Sequence, residues 1–173
     1  MVNLELFQEP RLMSQHEPQR EPWSAERTRA IVSDHKGLEG PLMPILHATM
    51  HAFGHVPEAA VPVIAEALNL SRAEVHGVVT FYHDFRRKVP GKHVLKLCRA
   101  EACQSMGCEK LVKRAEDRLG VACGHTSADG RVTLEPIYCL GLCATAPSAM
   151  LDGKIIGRLT EKKLDALLKE AGA

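Results

Sequence analysis

The chain has 173 residues, with 22 Lys+Arg against 21 Asp+Glu and few aromatics (one Trp, two Tyr, four Phe). That length suits one domain, or one compact domain with a smaller appendage, and needs no disulfides to bury a core. The balanced charge and the lack of a basic run exclude a nucleic-acid footprint, so no nucleic-acid partner is expected.

The opening stretch MVNLELFQEPRLMSQHEPQREPW lacks the apolar core of a secretory signal. No apolar run approaches the roughly 20 residues that span a bilayer, so direct membrane insertion is not expected and the chain reads as cytoplasmic. In that reducing compartment, six cysteines point to metal or redox chemistry.

Residues 1–22 are polar, with Pro10, Pro18 and Pro22, and read as a flexible N-terminal tail. Residues 23–88 read as a helical bundle. Ser24 is a good N-cap for a first helix to about Lys36. Gly40-Pro41 opens a second, whose Leu42, Ile45, Leu46, Met50 and Phe53 make one apolar stripe and which Gly54 ends. A third covers about 58–68. Ser71 and Glu74 form a capping box for a fourth, running to about Val79. Thr80 to Arg87 then brings Phe81, Tyr82 and Phe85 close together. They either plug the core between the two halves or contact a partner, since aromatic and Arg side chains anchor interfaces.

Pro90-Gly91 marks a boundary, and residues 91–173 switch period. His93 to Cys98 alternates as a strand. Ser105 to Leu119 reads as one helix stopped by Gly120. Residues 121–126 and 131–137 pair around Asp129-Gly130. Ala149–Leu151 turns at Asp152-Gly153 into Lys154–Ile156, and Thr160 caps a last helix. The class expected is α+β, an N-terminal helical bundle followed by a domain of thioredoxin-like order.

Four cysteines in this second half fall into two pairs, Cys98 with Cys103 and Cys139 with Cys143. Each pair follows an expected strand, so two loops would project from one end of the sheet. Thiolates are soft, strong donors for iron, zinc or copper, and Gly107 and Gly141 allow close backbone approach. Two such pairs can clamp a [2Fe-2S] cluster, a closed site that suits electron transfer. A set of four cysteines also suits structural zinc, although zinc knuckles favour a tighter spacing. A thiol–disulfide oxidoreductase is the third reading, against which no C-x-x-C occurs. Cys108 reads as a buried free thiol on the apolar helix face, and Cys123 as structural or incidental. His47, His51 and His55 are spaced by four, but Gly54 should break the helix before His55, so a polar flank is the expectation there. No catalytic motif is present, and the chain is read as having no active site of its own.

At these residues the chain resembles a known family. CRAEAC with CLGLCATAP is similar to the paired cysteine motif of the thioredoxin-like [2Fe-2S] subunit of NADH dehydrogenase, the small partner of the flavoprotein in respiratory complex I. The stretch from PLMPILHATMHAF to FYHDFR resembles that family's N-terminal helical region. Within the family the resemblance is strongest to the gamma subunit of soluble NAD-dependent formate dehydrogenase, through FYHDFRR and the compact length. Respiratory NADH:quinone oxidoreductase and NAD-reducing hydrogenase carry similar modules. The resemblance implies a [2Fe-2S] cluster on Cys98, Cys103, Cys139 and Cys143. It also implies FMN and NAD sites on a partner flavoprotein and a separate molybdenum-containing, formate-oxidising subunit. Cys108 departs from the family pattern, where a non-cysteine is usual.

Overall fold

Local capping chemistry sets the helices of the first half. In the computed structural model, which describes residues 20–172, Ser24 accepts a hydrogen bond from the Arg27 N–H and opens α1 (Ala25–His35). α2 (Leu42–Phe53) follows Pro41 and stops at Gly54, whose φ of +74° is the left-handed region that glycine enters without a Cβ clash. α3 (Ala60–Leu68) ends on Asn69, and α4 (Arg72–Phe81) starts from a complete Ser71–Glu74 capping box. The expected tail lies, up to residue 19, outside the described residues.

The apolar stripes of these helices meet in one core containing Ile45, Leu46, Phe53, Ile64, Val75 and Phe85. Buried Thr28 and Thr49 satisfy their hydroxyls by donating to the carbonyls of Ser24 and Ile45, so neither carries an unpaired polar group into the core. Phe85 is 4% exposed and belongs to this core, whereas Phe81 is 74% and Tyr82 45% exposed. The three aromatics therefore do not act as one plug: one is buried and two face outward.

Chain contacts divide between Val89 and Pro90. The second unit is a five-stranded mixed sheet in the order β2-β3-β1-β4-β5, built from β1 (His93–Cys98), β2 (His125–Thr126), β3 (Val132–Ile137), β4 (Ala149–Leu151) and β5 (Lys154–Ile156). β1 and β3 run parallel; the other pairs are antiparallel. Leu95 and Leu97 of β1 share one sheet face with Val132, Leu134, Ala149 and Leu151, and α6 (Cys108–Leu119) and α7 (Glu161–Glu170) cover it. Arg114 on α6 holds Asp165 on α7 by paired hydrogen bonds of 2.9 and 2.7 Å. The α+β class expected from the sequence is observed.

One expected element is corrected. Residues 105–119 are not a single helix: a short α5 (Glu101–Ser105) ends at Met106, and Gly107, at φ +81°, starts α6. Left-handed backbone at Gly107 breaks the helical path, so Cys103 and Cys108 sit on different helices.

The contrast between the aromatics is testable. Phe85→Ala should destabilise the helical unit by about 3–5 kcal/mol, while Phe81→Ala should stay within about 0.5 kcal/mol of the parent. Urea unfolding followed by circular dichroism distinguishes them, and equal losses would contradict the burial pattern.

Candidate metal centre

The site begins with strand register. Parallel pairing of β1 with β3 sets Cys98 opposite Ile137, so the segments that follow both strands leave the sheet at the same end. The Arg99 N–H donates to the Ile137 carbonyl at 2.8 Å, extending the ladder one residue beyond β1. On the other flank the Cys98 N–H donates to the Ser148 carbonyl at 3.0 Å. Alternation along β1 turns Cys98 to the sheet face opposite Leu97. At the end of the strand it packs with Cys103, Cys108, Ile137, Leu140 and Ala146.

Cys98 and Cys103 are 2% and 3% exposed, whereas Cys139 and Cys143 are exposed. Cys139 lies two residues past β3 and holds φ at +104°, a region that a side chain rarely adopts and that costs on the order of 1–3 kcal/mol. The turn closes when the Gly141 N–H donates to Cys139 Sγ at 3.3 Å. Cys143 opens a short 3-10 turn, Cys143–Thr145. Gly157 is required beneath that turn, since a Cβ there would meet Thr145 Oγ1 at 2.5 Å. Cys139 Sγ and Cys143 Sγ stand 3.6 Å apart. Two thiolates on one tetrahedral metal with bonds of roughly 2.3 Å are separated by about 3.7 Å. This pair already has the spacing of shared ligands.

The thiols also sense one another. Burial opposes ionisation of Cys98, yet donation from the Ala100 backbone, Cys103, the Cys139 backbone and Ser148 outweighs it and holds the thiol below its ordinary value. Burial pushes the Cys103 thiol up, with Ser148 acting in the opposite direction. Cys143 is raised by its hydrogen bond to Cys139 and by the charges of Cys139, Cys103 and Cys98. The four sulfurs of the sequence-derived set stand as two pairs, with Cys98 and Cys103 acting on Cys143 through their charge. Among the described residues no three His, Cys, Asp or Glu side chains converge on a single metal position. The donor chemistry fits a [2Fe-2S] group.

Cys108 lies outside the hydrogen-bonded set. It is 3% exposed, and burial pushes its thiol up to about 11. Its Sγ reaches Glu109 at 3.9 Å. Burial likewise raises half-buried Cys123, which answers to Arg99 and Glu116 instead of the other thiols. Of the histidine set, His47 lies edge-on to Phe85 with ring centroids 5.1 Å apart, and His55 Nδ1 donates to the Phe53 carbonyl at 3.0 Å. Gly54 ends α2 between His51 and His55. Ser148, 2% exposed beside the buried pair, is a site residue that sequence reasoning misses, because a serine beyond the second cysteine pair carries no spacing signal.

Residues 28–172 match the profile of a family described as thioredoxin-like [2Fe-2S] ferredoxin. An NADH-quinone oxidoreductase subunit of Pseudomonas aeruginosa is 38% identical over 116 residues, 67% of this chain and 70% of that protein. The subunit of the same name from Escherichia coli is 32% identical, across 88% of this chain and 95% of its own length. The NADP-reducing hydrogenase subunit HndA of Solidesulfovibrio fructosivorans is 32% identical, across 76% and 77%. A crystal structure of an NAD+-reducing [NiFe]-hydrogenase in the H2-reduced state superposes with a TM-score of 0.66 at 23% identity. That match covers 76% of this chain and 22% of the hydrogenase chain, and it is a likeness of fold.

Burial and charge predict an order of thiol reactivity. In metal-free chain at pH 8, iodoacetamide should label the exposed Cys139 and Cys143 at least about tenfold faster than Cys108, which is 3% exposed and whose thiol burial pushes up to about 11. Peptide mass spectrometry over time reads the order, and early labelling of Cys108 would contradict it.

Proposed function

The chain belongs to the thioredoxin-like [2Fe-2S] ferredoxin family, and from that premise we propose that Cys98, Cys103, Cys139 and Cys143 hold the cluster. The observation that carries this reading is the pair of pairs: two buried thiols and two exposed ones, the latter 3.6 Å apart. Bound there, a [2Fe-2S] group supplies a one-electron couple with no open position for substrate. The chain's own residues fix the sulfurs, donate hydrogen bonds to them and keep water from the inner pair.

In this reading the protein is an accessory electron-transfer subunit. It passes single electrons to and from the FMN of a partner flavoprotein, which also carries the NAD site. The parent complex we favour is an NAD-dependent formate dehydrogenase with a separate molybdenum-containing subunit, on the resemblance carried by FYHDFRR. A second reading places the chain in an NADH:quinone oxidoreductase or a pyridine-nucleotide-linked hydrogenase, as its relatives' names suggest. Affinity purification of the tagged chain from its own cells, then assay of formate-, hydrogen- and NADH-linked electron transfer by the isolated complex, separates the two. A complex without formate-dependent NAD reduction sinks the first. Among the described residues no helix is long and apolar enough to cross a membrane.

The docking reading narrows to Phe81 and Tyr82. They stack edge-to-face with centroids 5.0 Å apart at the end of α4, and Tyr82 leans on buried Phe85 at 6.0 Å. Large exposed aromatics of this kind are favoured interface anchors. Phe81→Ala should weaken co-purification with the flavoprotein roughly tenfold or more while the unit stays folded. Unchanged pull-down would remove the segment as a docking site.

The cluster assignment is tested by low-temperature EPR and iron analysis on anaerobically purified chain. A spin-one-half signal should appear only after dithionite reduction. Cys98→Ser and Cys143→Ser should lose or alter it, and Cys108→Ser should leave it unchanged. Zinc without iron, with silence in both states, would leave a structural zinc adaptor.

A further inference from the structure

Ser148 stands out among the polar side chains of the second unit. It is 2% exposed, and its Oγ lies 3.7 Å from Cys103 Sγ, across 45 residues of sequence. Its carbonyl meanwhile accepts from the Cys98 N–H at 3.0 Å. One residue thus addresses both inner cysteines through side chain and main chain. A buried hydroxyl whose partners are sulfur atoms is poorly compensated for its lost hydration, because sulfur is a weak acceptor in the thiol state. As a thiolate, sulfur carries no proton and full negative charge. The hydroxyl can then only donate, and the hydrogen bond becomes charge-assisted.

We propose that Ser148 tunes the electron affinity of the centre by donating a hydrogen bond from its hydroxyl to the thiolate of Cys103, beside Cys98, and so raises the reduction potential. This deepens the function proposed above and rests on those two cysteines being ligands. The sign follows from charge. Reduction adds one electron from an external donor, breaks no bond and moves no proton, so the ligated sulfurs become more negative. A fixed donor stabilises the reduced state more than the oxidised one, and hydrogen bonds to cluster sulfurs are a recognised lever on potential. The position is well set for this role. Ser148 directly precedes β4, whose Ala149 pairs with Leu97 of β1, so the sheet itself aims the hydroxyl. Burial prevents water from replacing it.

Ser148→Ala in the full, cluster-loaded chain should lower the reduced-to-oxidised ratio at fixed potential roughly tenfold, a midpoint shift of about 59 mV for a one-electron couple. EPR-monitored redox titration reads it. Ser148→Thr and Ser148→Val form a second comparison, nearly equal in shape and different in the hydroxyl. Threonine should keep the parental midpoint and valine should fall with alanine. This pair carries the test if the alanine variant takes up no cluster. Equal midpoints within either comparison overturn the proposal, since a packing role would not distinguish hydroxyl from methyl. A parent chain that binds no iron overturns the ligand assignment instead, and iron content is measured on the same samples.

Discussion

Parallel pairing between β1 and β3 is the constraint on which the site depends. Antiparallel strands would send their following segments to opposite ends of the sheet. Parallel ones send both to the same end, here with Cys98 level with Ile137 and Cys139 two residues on. The partners in this pairing are separated by a long connection that must return the chain to the start of β3. α5, α6 and β2 provide that return, and α6 at the same time covers the sheet face formed by Leu95, Leu97 and Leu134. The hydrophobic face and the thiol site are therefore two consequences of one register, the first along β1 and the second at its end.

The four sulfurs are treated unequally by the fold. Cys98 and Cys103 are removed from water, which penalises their charged forms, and the structure offsets that with directed donors: the Ala100 and Cys139 backbones and the Ser148 hydroxyl act on Cys98. Cys139 and Cys143 remain in solvent, where hydration supports negative charge, and their loop needs one internal donor, Gly141. Burial on one side keeps the centre from water, and exposure on the other brings it to the surface, as an electron carrier that hands charge to another protein requires. Tyr138 and Met106, 71% and 61% exposed, flank the site's segments in sequence and give that surface apolar character.

What was legible in the sequence was mostly local. Ser24, the Ser71–Glu74 box and Thr160 cap helices through bonds three residues long, and all three caps are observed. The turn at Asp152-Gly153 connects the strands expected of it, whereas the one at Asp129-Gly130 joins β3 to a first strand cut from the expected residues 121–126 to His125–Thr126. The error at residues 105–119 has an equally local cause. Cys108, Leu111, Val112 and Ala115 form a continuous apolar stripe, and periodicity gives no warning that Gly107 will leave the helical region just before it. The positive φ of Cys139 and the reach of Ser148 to Cys103 were out of view for a different reason. The Ser148 contact spans 45 residues of sequence, and neither residue type announces its role.

The division at Val89 also distributes the polar and apolar work. In the helical unit, buried hydroxyls direct their hydrogen bonds to their own helices: Thr28 to Ser24 and Thr49 to Ile45. In the second unit Thr133 and Ser148 reach across the chain, to the Gly91 N–H at 2.6 Å and to Cys103 at 3.7 Å. Self-contained helices can tolerate change at their surface, and there the exposed aromatic pair Phe81 and Tyr82 sits beside a buried Phe85 that fixes its backbone. Long-range polar ties, by contrast, make the sheet unit cooperative around the cysteine loops. The exposed aromatics and the sulfurs thus belong to different units, each with its own core and its own pattern of polar ties.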